Sequence, residues 1–226
     1  NQLRMIPSFA FRDPTPKSVT NSLNSRLRLE RLRIISRSLM QISPYAFYEL
    51  PSLRSVKILS ASGLTRISAH AFDIATPSTH SLIIDLRGNQ LTESSFELDA
   101  FEHTGRPVHL QLSDNNLTTL SRAIFERFLA VEGENKLQVA DNPLECDCTM
   151  YWIVADRDVY LNQVLSALCD GYAELWKLDE TAFRRCEHDD TYMPRLVFKN
   201  AAIASAVQHF TSCLIVLPLV LQGMLM

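Results

Sequence analysis

The side chains of this 226-residue chain best suited to chemistry of their own are its thiols. Four of the five cysteines stand at Cys146, Cys148, Cys169 and Cys186, and the fifth, Cys213, lies in an apolar tail. Four clustered thiols can hold zinc tetrahedrally or pair as two disulfides. Cys146-x-Cys148 is a poorer chelating pair than Cys-x2-Cys, which the chain lacks. Disulfides in an oxidising compartment are therefore the expected state, and spacing alone allows three pairings. The histidines at 70, 80, 103, 109, 188 and 209 are scattered. No His-Glu-x-x-His, Gly-x-Ser-x-Gly or phosphate loop surrounds them. No catalytic residue, metal ligand or cofactor is expected, and Cys186-Glu187-His188-Asp189-Asp190 reads as a solvated linker. A formal net charge of −3 gives no reason to expect nucleic acid as a partner.

The elements that must carry these residues come from a repeat. Its clearest copy is Leu110-x-Leu112-x-x-Asn115-x-Leu117-x-x-Leu120-x4-Phe125. It recurs from Leu32 to Phe47, and with one extra residue from Val56 to Phe72. Ile84-x-Leu86-x-x-Asn89-x-Leu91 and Leu137-x-Val139-x-x-Asn142-x-Leu144 repeat its first half. First strand positions at 32, 56, 84, 110 and 137 are 24, 28, 26 and 27 residues apart, the period of leucine-rich repeats. Alternate apolar residues send every second side chain inward, and each coil must stack on its neighbours to hide that face. Asn1-x-Leu3-x-x-Ile6-x4-Phe11 matches the second half of the unit, so earlier repeats, an N-terminal cap and a signal peptide are expected upstream. Phe11, Phe47, Phe72 and Phe125 are expected to form a spine on the outer side of the core. Arg12–Arg28 and Asp73–His80 interrupt the period and read as irregular outer loops.

After the last repeat, Asn142-Pro143-Leu144-Glu145-Cys146-Asp147-Cys148 and the following Trp152 resemble the C-terminal cap of extracellular leucine-rich repeat proteins. Over residues 1–187 the chain is similar to arthropod secreted or surface repeat proteins, which resemble the non-catalytic leucine-rich subunit of a decapod luciferase. The resemblance implies an α/β fold: a leucine-rich repeat solenoid with a parallel β-sheet on its concave face and short helical or irregular outer segments. It also implies a disulfide-bonded cap with Cys146–Cys169 and Cys148–Cys186 bridges. In this family the asparagine amide satisfies backbone groups of the adjacent turn, a role open to Asn89, Asn115 and Asn142 but not to Arg37 or the Ser62 region. Trp152, Ile153, Val159, Leu161, Leu165 and Leu168 read as a helical block covering the last repeat.

The expected organisation is repeats over 1–141, a cysteine-rich cap over 142–187, a linker over 188–200 and a hydrophobic tail over 201–226. No Lys or Arg follows Lys199; small residues at Asn200, a mixed spacer and fourteen apolar-rich residues from Cys213 have the order of a glycosylphosphatidylinositol signal attached at Asn200. A spanning helix and a merely hydrophobic tail are the alternatives. Asn116-Leu117-Thr118 is a glycosylation sequon if the chain is secreted.

Outward strand positions define the expected binding surface: Arg31, Arg33 and Ile35, then Lys57 and Leu59, Asp85 and Arg87, and His109 and Gln111. Arginines beside exposed apolar residues suit a protein interface. The leading expectation is a non-catalytic recognition or adhesion protein, extracellular or at the outer face of the plasma membrane, with a protein ligand. The alternative is an accessory subunit that stabilises a secreted enzyme.

Overall fold

The computed structural model describes residues 2–12, 29–74, 78–101, 104–130 and 134–179, together with 181, 183 and 186. The expected loop at Arg12–Arg28 falls almost wholly outside these residues, as do the linker, Asn200 and the tail.

Alternating apolar residues form short strands that lie side by side in parallel. Strands β1 (Met5–Ile6), β3 (Gln41–Ile42) and β5 (Arg66–Ile67) make a three-stranded parallel sheet. Strands β2 (Arg31–Ile35), β4 (Ser55–Leu59), β6 (Leu82–Asp85), β7 (Val108–Gln111), β8 (Lys136–Gln138) and β9 (Val164–Leu165) make a longer one, paired in that order. Leu32, Val56, Ile84, Leu110 and Leu137 are in register across it. The core lies behind the long sheet, where Val56, Ile58, Ile84, Leu110 and Leu137 are fully buried. In β2, at the sheet's edge, Leu32 and Ile34 are only half-buried.

The outer side of the core is filled by rings. Phe11 stacks on Phe47, Phe47 on Phe72 and Phe72 on Phe101, with centroids 5.8, 5.1 and 5.7 Å apart. Phe125 joins through Phe96, and Phe128 through Phe101. Phe101 thus bridges the irregular coil in which the repeat motif gave no spine residue. Helix α1 (Arg122–Ala130) places Phe125, Phe128 and Leu129 inward, while Arg122 and Glu126 pair one turn apart on its exposed side.

The cap departs from the expected helical block. Helices α2 (Tyr151–Ala155) and α3 (Arg157–Tyr160) bury Trp152 and Ile153, but Val159 is 60% and Leu161 43% exposed. Leu165 belongs to β9, which extends the long sheet by one strand. Leu168 lies in β10 (Leu168–Cys169), which pairs antiparallel with β11 (Ala173–Glu174). The two residues of β9 are too few for alternation to announce a strand, and β8 supplies the missing pairing partner.

The four clustered cysteines are bridged as Cys146–Cys169 and Cys148–Cys186, with Cα separations of 5.5 and 5.1 Å. All four are buried. This resolves the zinc alternative in favour of disulfides. Trp152 donates from Nε1 to the Leu120 carbonyl at 3.0 Å and packs edge-on against Tyr160, tying cap to repeat.

Candidate binding face

The open face of the long sheet presents the side chains opposite the core, and strand pairing aligns them in rows. One row runs Arg31, Ser55, Ile83, His109, Lys136. The next runs Arg33, Lys57, Asp85, Gln111, Gln138, Leu165. Ile35 and Leu59 stand beside each other in a third. Arg31, Arg33 and Ile35 are exposed, Ile35 to 50%. Lys57, Leu59, His109 and Gln111 are half-exposed.

Asp85 differs from its row. Its side chain is 1% exposed and lies beneath two cations. Arg87 donates from Nε and Nη2 to its two oxygens, each at 2.9 Å, and Lys57 Nζ stands 3.5 Å away. Burial pushes its carboxyl upward, but the hydrogen bonds and positive charge of Arg87, with Lys57 beyond, hold it below the ordinary carboxylate range. The same pairing raises the Arg87 guanidinium. Asp85 therefore orients Arg87 and Lys57 from below rather than meeting a ligand itself. Arg31 and Arg33 form no ion pair among the described residues, so the unneutralised positive charge gathers at the β2 end.

Behind the face, an asparagine ladder holds the strand exits. Asn89 donates from Nδ2 to the carbonyls of Ile58 and Leu86, at 2.7 and 2.9 Å, and accepts from the Ala61 amide. Asn115 accepts from the Asn89 and Leu91 amides and donates to the Leu86 and Leu112 carbonyls. Asn142 repeats this with the Leu117 amide and the Leu112 and Val139 carbonyls. Each amide thus satisfies backbone groups in its own coil and the one before. Gly88, Asp114 and Asp141 precede these asparagines at φ of 68°, 56° and 56°, in the left-handed region that Gly and Asp tolerate best.

Toward the N-terminus the ladder stops. Register places Ala61 and Arg37 at the asparagine position, and Ser36 instead donates to the Leu3 carbonyl at 3.0 Å. Gly63 sits where a Cβ would meet the carbonyl oxygens of Arg37 and Leu39 at 3.1 and 3.2 Å, so these coils close directly on each other.

Three polar residues that the repeat motif did not single out hold the opposite ends of the strands. Arg106, 1% exposed, donates to the carbonyls of Leu53 and Pro51 at 2.8 and 3.2 Å, and burial lowers its pKa. Asn135 accepts from the Val108 amide, and Gln163 donates to the Leu129 carbonyl. Their only sequence signal is a polar residue within two positions of a strand's start. Asn116 is exposed just past the ladder.

No family model matches the chain. It is 22% identical over 173 residues to the Oplophorus-luciferin 2-monooxygenase non-catalytic subunit of Oplophorus gracilirostris, a match covering 76% of this chain and 46% of that protein. The chain thus spans about half the length of the curated relative it matches. Among solved structures it is similar to human 5T4 (Wnt-activated inhibitory factor 1, trophoblast glycoprotein), at 19% identity and a TM-score of 0.30, over 80% of this chain and 83% of that one. The repeat period and the parallel register of its strands support a leucine-rich repeat protein.

Proposed function

We propose that this is an extracellular, non-catalytic recognition protein whose coils form a leucine-rich repeat solenoid and whose open sheet face, on the concave side, binds another protein. The observation that carries this reading is the N-terminal end of that face. There Arg31 and Arg33 lack an ion-pair partner among the described residues and stand beside Ile35 and Leu59. Arginine next to exposed apolar area, on a rigid hydrogen-bonded sheet, is the composition of an interface centre. The two disulfides suit an oxidising compartment. Glycan at Asn116 and attachment through the apolar tail near Asn200 belong to the same reading.

The test is binding of the labelled full-length protein to cells of its source tissue. Reversing Arg31, Arg33 and Lys57 to Glu is expected to abolish saturable binding, while Lys136→Glu leaves it intact. Unchanged binding in the triple variant would refute the face. Phosphatidylinositol-specific phospholipase C is expected to release the protein from cells that express it; retention beside a released control would count against the lipid anchor.

A second reading follows from the relative named as a non-catalytic subunit. Here the same face holds an enzyme chain and stabilises it. Co-purification with a catalytic chain, lost in the triple variant, would select this reading over a free receptor.

A further inference from the structure

The sequon Asn116-Leu117-Thr118 is built into the fold at every residue. Asn116 donates its amide N–H to the Leu91 carbonyl at 2.8 Å. Leu117 is fully buried and donates its N–H to Asn142 Oδ1 at 3.0 Å. The Glu93 carboxylate receives the Thr118 N–H and hydroxyl and the Thr119 N–H. The Thr118 carbonyl accepts from the Glu145 N–H at 2.8 Å, and Glu145 precedes bridged Cys146. A glycosyl transferase must draw a sequon into its own site with both the asparagine amide and the threonine hydroxyl accessible. Thr118 is exposed and its hydroxyl makes only a long 3.4 Å contact with Glu93, so what the folded coil withholds is the backbone. Drawing the sequon out would strip the Thr118 and Thr119 N–H groups from Glu93 and surrender Leu117 from the core.

We propose that Asn116 is modified only before the cap closes, so that closure of the Cys146–Cys169 loop ends its glycosylation. This rests on the extracellular reading. In the transfer, a lipid-linked oligosaccharide donor gives its glycan to Asn116 Nδ2. The C1–N bond forms, the anomeric C–O bond to the lipid pyrophosphate breaks, and the amide proton leaves to the transferase base. Once closed, the coil leaves Asn116 exposed past the strand ends. A glycan there stands off the rows that carry Arg31, Arg33 and Ile35. Two neighbouring coils and the cap lock the sequon: Glu93 lies upstream, and Asn142 and Glu145 lie downstream. Cap formation is therefore the last step able to complete the lock.

The experiment expresses the full chain behind a supplied cleavable leader in animal cells and reads glycan occupancy by mass before and after peptide N-glycosidase. Because entry into the secretory route is imposed, the result does not depend on where the natural protein resides. Partial occupancy is expected in the wild type and none in Asn116→Gln. Occupancy should roughly double in the double variant Cys146→Ala/Cys169→Ala, and should rise in Glu93→Ala, which frees Thr118 while leaving the bridge. Phe47→Ala, which loosens coils that do not touch the sequon, is expected to leave occupancy at the wild-type level. Three results would overturn the proposal: no glycan in either the wild type or the cysteine variant, occupancy in the wild type already equal to that of the cysteine and Glu93 variants, or a rise in Phe47→Ala as large as in the cysteine variant. None of them bears on the binding face, which the charge-reversal variants test separately.

Discussion

The coils of β6, β7 and β8 and those of β2 and β4 follow one repeat but are held together differently. In the former, Asn89, Asn115 and Asn142 knit each strand exit to the coil before it. In the latter, no asparagine occupies that position; Gly63 lets backbones meet, and stacked Phe11, Phe47 and Phe72 fill the outer side. The open face changes along the same axis. Where the ladder runs, it carries Gln111, Gln138 and a neutralised Asp85; where the ladder stops, it carries Arg31, Arg33 and Ile35. A directional hydrogen-bond ladder fixes the backbone locally, whereas ring stacking fixes it through burial over several coils. The rings continue through Phe101, Phe96 and Phe125 behind the ladder coils, so the two ends differ in the ladder, and the proposed recognition surface lies at the end held by packing without it.

Variants can separate these two devices. The largest loss is expected from Phe72→Ala, which empties the middle of the ring stack and costs about 3–5 kcal/mol, read as a lower midpoint in denaturant unfolding. Asn115→Ala comes next at about 3 kcal/mol, because it strands several buried amides and carbonyls at once. Its hydrogen exchange should accelerate at Asn89 and Leu91 and stay unchanged at Ile58. If Asn115→Ala opened all coils equally, the two regions would be one cooperative unit and the contrast would be false.

Gly63→Ala should cost about 1–3 kcal/mol, since the added methyl meets two backbone carbonyls rather than a movable side chain. The smallest effect is expected at Asp85. Asp85→Asn should remove about 1 kcal/mol at neutral pH, because Arg87 and Lys57 remain half in water. The folded carboxyl lies below its unfolded value, so its contribution is present above the ordinary carboxylate range and lost as pH falls through the folded value. Acid titration should therefore destabilise the wild type more than the variant over that window.

Much of this was legible in the sequence, and the limits have physical causes. Paired strands report themselves through alternation, so Leu32, Val56, Ile84, Leu110 and Leu137 could be aligned from their spacing and stand in register. Strand β9 could not be read from alternation, because two residues carry no period, although Val164 follows its partner Leu137 at the spacing of the repeat. Phe101 was hidden by the irregular coil that places it. Asp85 could be assigned to the open face by alternation, but its burial depends on Arg87 and Lys57 folding over it, which no single strand encodes. Arg106 reaches carbonyls more than fifty residues away, beyond any local pattern.

The most direct test of recognition at the packed end compares photo-crosslinkers placed singly at Ile35 and at Gln138 in the full-length protein on living cells. Ile35 and Gln138 both project from the open face, but at opposite ends of it. Crosslinking to one discrete partner from position 35, and little from position 138, is the predicted result. Equal capture from both positions, or capture from position 138 alone, would contradict it.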